Sequence, residues 1–122
     1  MADEASVDPA ALERLRRLGG EKFVKEMIDI FLDFIPKKIA QALEGQRANC
    51  LLEIEKGAHA VKSSALNMGA QNLQRLADRI ERLAKEQQPE LLPALLADLE
   101  SEFSRVRAAL QEHQRSLSSR TD

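Results

Sequence analysis

The 122-residue sequence has no Trp and no Tyr, only four Phe, and a single Cys. With so few aromatics in a chain that is 43% apolar, the core must be built from Leu, Ile, Val and Ala, which leans towards helices rather than sheets. The lone Cys50 excludes an internal disulfide and fits a reducing compartment. No apolar run approaches the roughly 18 residues that a membrane span needs. The acidic start Met1-Ala2-Asp3-Glu4 does not resemble a secretion signal, so the cytoplasm is the expected location. Neither sign of charge dominates: 18 basic and 20 acidic side chains leave a net charge of -2. Nucleic acid and anionic membranes both need a concentrated basic surface, so neither is an expected partner.

What is present reads as helix. There is no strand-like alternation and no internal repeat, and the length suits one domain spanning residues 1–122. Order is expected from about residue 8 to 116, with frayed termini at 1–7 and from about Leu117. A start at Met1 reads as a free-standing chain, and an excised domain would read the same. Asp8-Pro9 is a helix start, an N-cap followed by Pro at the first helical position. The short helix it opens runs through Leu12, Leu15 and Leu18 to Gly19-Gly20. A second helix, about 21–44, carries Phe23, Met27, Phe31, Phe34, Ile35, Ile39 and Leu43 as its inner stripe. Pro36 inside it predicts a kink, and Gly45 its end.

A third helix is expected from Asn49, as N-cap, to Met68, closed by Gly69 in a left-handed cap. A fourth, about 71–87, places Leu73, Leu76, Ala77, Ile80, Leu83 and Ala84 at i, i+3, i+4 spacing. Gln87-Gln88-Pro89 breaks it. The last, about 90–115, repeats Leu92, Leu95, Leu96, Leu99, Phe103, Val106 and Leu110, with Pro93 tolerated in its first turn. Short connections make neighbours antiparallel. The expected fold is therefore all-α: an antiparallel up-and-down four-helix bundle with a short additional N-terminal helix.

The third helix has two distinct sides. At about 100° per residue, Leu51, Ile54, Ala58, Val61 and Ala65 cluster on a core face. Leu52, Glu55, Lys56, His59, Lys62, Ser63 and Leu66 form a second stripe, with His59 about 120° from the core direction on the same step. His59 therefore faces solvent between two apolar side chains, Leu52 and Leu66, each seven positions away. An exposed imidazole framed by apolar groups and a nearby cation suggests a docking surface with a reactive centre. A surface His with two half-buried Leu is the plainer reading of the same stripe.

Much of an exposed imidazole is neutral at cytoplasmic pH, and the neutral ring can attack phosphorus. Glu55 at i-4 is placed to orient the ring or to pair with Lys56 or Lys62. Lys62 at i+3 can reach an attached phosphoryl group. Ser63 at i+4 can donate a hydrogen bond to that group or cap local backbone.

The segment Ala58-His59-Ala60-Val61-Lys62-Ser63-Ser64-Ala65-Leu66-Asn67-Met68-Gly69-Ala70 resembles the signature of histidine-containing phosphotransfer (HPt) domains. His59, Val61, Lys62, Ser64, Gly69 and Ala70 match by position, and the length and helix pattern extend the likeness over most of the chain. The resemblance implies that His59 accepts the phosphoryl group, with Lys62 and Ser63 in its environment. Ser64 and Gly69 would serve packing. Leu52, Glu55, Lys56 and Leu66 would form the docking surface. One position departs: the family usually has Gly four residues after the His, where this chain has Ser63. The added Cβ and hydroxyl can slow transfer, alter partner choice or contact phosphate.

The partners implied are a response-regulator receiver domain and a hybrid histidine kinase. No cofactor or metal of its own is expected, with Mg²⁺ on the receiver. No G-x-x-x-x-G-K-[ST] loop is present, so the chain is expected to carry phosphoryl groups without autonomous kinase activity. A monomer is expected. A metal-carboxylate bundle needs Glu-x-x-His pairs, but Lys56 and Leu110 precede His59 and His113 by three. Cys50 lacks a His within reach for thiol catalysis. The alternative that stays open is a non-catalytic helical interaction module of HPt-like shape.

Overall fold

The computed structural model describes residues 6–120, with side chains described as far as Leu117. Helix α1 spans Pro9–Arg47, α2 Leu51–Met68, α3 Gln71–Lys85 and α4 Leu92–Arg120, the last preceded by a single 3₁₀ turn, Pro89–Leu91. Helix α1 packs on α2, α2 on α3, α3 on α4, and α4 back on α1. With short connections this closes an antiparallel four-helix bundle. Among the described residues there is no strand.

Asp8 caps α1 as its sequence suggests, Oδ1 accepting from the Ala10 N–H at 3.0 Å, with Pro9 following. The break expected at Gly19-Gly20 is a single residue. Gly20 adopts φ 84°, ψ -178° inside the run Pro9–Arg47, a conformation open essentially to Gly alone. The short N-terminal segment thus turns away from the rest of α1 there. Pro36 was expected to kink the helix, yet within α1 only Gly20 leaves helical dihedrals. Gly45 does not end α1. It is buried in the last turns, where a Cβ would lie 2.8 Å from Glu53 Cβ and 2.9 Å from the Ile54 nitrogen. Its lack of a side chain admits the start of α2.

Three further expectations shift. Asn49 is not the N-cap of α2: it takes φ 54°, a left-handed conformation Asn tolerates, and Cys50 occupies the cap position. Helix α3 ends at Lys85, with Gln87 at φ 56° in the turn that follows. The tail expected to fray from about Leu117 instead continues α4 to Arg120 and buries Leu117, as Val7 is buried at the other terminus. Residues 1–5 and 121–122 lie outside the described residues.

The core runs through all four helices. The buried stripe of α1 is Val24, Ile28, Phe31, Ile35, Ile39 and Ala42. Phe34, Met27 and Leu43 of the expected stripe pack partly buried against it, and Leu18 is exposed. From α2 come Ile54, Ala58, Val61 and Ala65, from α3 Leu73, Ala77, Ile80 and Ala84, and from α4 Leu92, Leu96, Leu99, Phe103, Val106 and Leu110.

Two contacts fix where α2 sits. At Gly57, two residues before His59, a Cβ would lie 2.7 Å from the Lys38 carbonyl oxygen and 3.0 Å from the Ala42 nitrogen, so the backbones of α1 and α2 nearly touch. At its C-terminus Gly69 adopts φ 79°, ψ 20° as the left-handed cap. A Cβ there would collide with Ala11, and the Gly69 carbonyl accepts from the Asp8 N–H at 2.9 Å. The N-terminal segment is thereby pinned to the end of the helix that carries His59.

Candidate functional site

The angular separation along α2 places His59 outward, and its side chain is 60% exposed. Leu52 and Leu66, at 54% and 58%, are likewise exposed, as are Lys56 and Ser63. The stripe therefore forms one open face around the ring.

The ring is not free to rotate, because α3 reaches it. His59 Nδ1 lies 2.9 Å from Glu81 Oε2. The Glu81 side chain is only 4% exposed, so this carboxylate sits beneath the ring at the α2–α3 seam. Its other oxygen, Oε1, lies 2.7 Å from Lys62 Nζ. Lys85 Nζ, one turn on along α3, lies 3.3 Å from Oε2, the same oxygen that meets the ring. Asp78 extends the network: Oδ1 is 3.4 Å from Lys62 Nζ, and Oδ2 is 3.2 Å from Arg82 Nε.

A buried carboxylate tolerates its charge only when it is paired and hydrogen-bonded. Burial alone would push the Glu81 carboxyl up, but hydrogen bonds from Lys62, His59 and Lys85 outweigh it and hold the group below its ordinary value. Reciprocally, the bond to Glu81 raises the Lys62 ammonium above its ordinary value, against the opposing effect of burial. Glu81 is thus ionised at neutral pH. An ionised carboxylate only accepts hydrogen bonds, so Nδ1 carries the ring proton and the lone pair falls on Nε2.

Of the residues singled out from the sequence, Leu52, His59, Lys62, Ser63 and Leu66 share this region of α2. Glu55 lies on the same helix, partly buried, but makes no hydrogen bond or ion pair among the described residues. Lys56 pairs loosely with Glu53, at 3.9 Å. Sequence reasoning missed Glu81, Asp78, Arg82 and Lys85, all on α3. One signal was available: Glu81 follows Ile80 and precedes Ala84 on the apolar side of α3, where an acidic residue must have a partner. His113, which reads from the sequence as a solvated side chain near a helix end, is partly buried and lines a groove with Val7, Leu12 and Leu117.

The chain matches the family model described as Hpt domain over residues 26–109. No curated protein matches it. Among solved structures it is similar to the histidine-containing phosphotransfer protein B (HptB) from Pseudomonas aeruginosa PAO1. That likeness has a TM-score of 0.88 at 22% identity, covering 95% of this chain and 98% of the other, and it shows a shared fold. Among the described residues no helix is long and apolar enough to cross a membrane. The family match spans well over half of the chain, on a fold the solved structure shares, and the protein belongs to the Hpt domain family of histidine phosphotransfer proteins.

Proposed function

We propose that His59 carries a phosphoryl group in a two-component phosphorelay, taking it from a receiver-domain aspartate (or a kinase) and passing it to another receiver. The observation that carries this reading is the pairing of an exposed imidazole with a buried carboxylate, His59 Nδ1 to Glu81 Oε2 at 2.9 Å.

The chemistry follows from that geometry. Nε2 attacks phosphorus in line, the N–P bond forms as the bond to the donor's aspartyl oxygen breaks, and the aspartate leaves as a carboxylate. The ring, still protonated at Nδ1, becomes a phosphoimidazolium, and the Glu81 charge beside Nδ1 stabilises the positive charge it gains. Because the ring keeps this proton, the imidazole is a neutral leaving group in the reverse step, and transfer runs both ways. Lys62, held between α2 and α3, supplies positive charge next to the incoming group. The receiver would bring Mg²⁺ and most of the electrostatic stabilisation. This chain supplies nucleophile, balancing charge and docking face, as a carrier rather than a kinase. Leu52 and Leu66, with Glu55 and Lys56 between them, form that face, and Ser63 stands where the partner's active site approaches.

The test is labelling. Wild type, His59→Gln and Ser63→Gly are incubated with phosphorylated receiver domains and the acid-labile label is followed over time. Label on wild type and none on His59→Gln is expected, with the melting temperature of that variant nearly unchanged because the ring is exposed. Label that appears only in Ser63→Gly would instead support a docking module whose transfer chemistry is blocked.

A further inference from the structure

Helix α3 sorts its charges by face. Its cations are Arg75, Arg79, Arg82 and Lys85, and its only carboxylates are Asp78 and Glu81. Both carboxylates turn towards α2, where they meet Lys62. At about 100° per residue, Arg75, Arg79 and Arg82 lie within roughly 60° of one another, opposite the buried Leu73, Ala77, Ile80 and Ala84. Lys85 falls between that face and α2. In a chain of net charge -2, the outer surface of α3 is therefore locally basic.

Two of these cations connect to the site through its carboxylates. Lys85 shares the Glu81 oxygen that holds His59 Nδ1, and Arg82 shares Asp78 with Lys62. Each is thus one carboxylate away from the site, yet Lys85 is 55% and Arg82 65% exposed. The Arg82–Asp78 pair is exposed on both sides and contributes little to stability. Glu81 keeps Lys62 and His59 as partners when Lys85 turns away, so both side chains can turn to a partner at small cost.

We propose that Arg82 and Lys85 form an electrostatic docking rim, engaging the acidic surface around the acceptor aspartate of a receiver domain. The inference rests on the carrier role proposed for His59. An aspartate that exchanges phosphoryl groups with the help of a divalent cation must sit among further oxygen ligands, chiefly carboxylates. Such a rim is negative, and the planar guanidinium of Arg82 suits bidentate carboxylate recognition. The rim lies on the α3 side of His59 only, so it also selects the orientation in which the partner lands.

The experiment separates docking from chemistry. Wild type, Arg82→Glu, Lys85→Gln and Lys22→Glu are first labelled with phosphoramidate, a small donor that needs no docking. Transfer to receiver domains from the same organism is then timed at low and moderate salt, each rate being taken relative to the phosphoramidate rate of the same variant. Lys22 is exposed on α1, and its substitution matches the charge change of Arg82→Glu. For Arg82→Glu the relative transfer rate is expected to fall about 10-fold at low salt, and for Lys85→Gln a few-fold, through slower association. Both deficits should shrink as salt rises. An equal fall in Lys22→Glu, or no fall in either rim variant, would overturn the rim. So would a labelled wild type that passes its phosphoryl group to no receiver. A wild type that phosphoramidate cannot label on His59 would sink the carrier role itself.

Discussion

Towards α1, helix α2 presents Gly57, and the approach is so close that a Cβ would lie 2.7 Å from the Lys38 carbonyl oxygen. Towards α3 it presents His59 and Lys62, and the contact is carried by the buried carboxylate of Glu81. The first contact is one of shape: backbone against backbone, with no charge involved. The second is one of charge: Glu81 meets three cationic or protonatable groups, His59, Lys62 and Lys85. The tight flank fixes where α2 lies, and the charged flank fixes what its imidazole can do. The two should therefore fail differently, one by steric strain at any pH and the other in a way that follows titration.

The largest effect is expected on the tight flank. Gly57→Val would push two methyl groups into Lys38 and Ala42, costing about 1–3 kcal/mol, read as a shift of the urea midpoint. The loss should persist at every pH in the folded range, and phosphoryl transfer should suffer with it because His59 lies half a turn away. A neutral result would mean that α1 and α2 can separate and that the approach imposes no constraint.

On the charged flank, Glu81→Gln keeps the shape and removes the charge. A loss of about 1–2 kcal/mol is expected at neutral pH, together with slower labelling of His59. The sign of its pH dependence is fixed by the depressed pKa of Glu81. The ionised group stabilises the fold fully above its unfolded value, near 4.3. That contribution is lost as pH falls through the lower folded value. The stability gap between wild type and Glu81→Gln should close there, whereas the Gly57→Val gap should not. A gap independent of pH would assign Glu81 a packing role alone.

Lys62 behaves oppositely at the alkaline end. Its pKa is raised, so its contribution is present below the ordinary lysine value and is lost as pH rises through the raised one. Lys62→Gln should lower stability by less than about 1 kcal/mol, since the side chain is partly exposed. Transfer should slow more than stability falls. Equal losses in both would remove Lys62 from the reaction.

The smallest effect is expected at Lys56, exposed and 3.9 Å from Glu53. Lys56→Gln should change stability by no more than a few tenths of a kcal/mol, as exposed i,i+3 pairs do. A larger change in chemical denaturation would mean that the open face is stiffer than its exposure implies.

Several features of this arrangement are legible in the sequence because they are local. Asp8-Pro9 and Gly69 act within one turn, and both take the predicted roles. The outward placement of His59 follows from the helical step alone. Where two apolar stripes run side by side, local reading chose imperfectly. Along α1 the aromatics and Met27 drew attention, while the deeper stripe passes through Val24, Ile28 and Ala42. Asn49 also misled, since the same side chain suits a cap and a left-handed turn. Leu117 looked like part of a polar tail, yet it is buried in the same cluster as Val7, the far end of the chain.

By itself, then, the sequence determined the helices, some of their limits, the inner faces of α2 and α3, and the exposure of His59. All of these depend on periodicity and caps that extend no further than i+4. Only the tertiary structure decided that Glu81, 22 residues away, holds the ring, that Lys62 turns to α3 rather than along α2, and that Arg82 and Lys85 join the same carboxylates. Those choices rest on the rotation and register of α3 against α2. The packing of the whole core sets both, since a turn of α3 by one residue would carry Glu81 about 100° away from the ring.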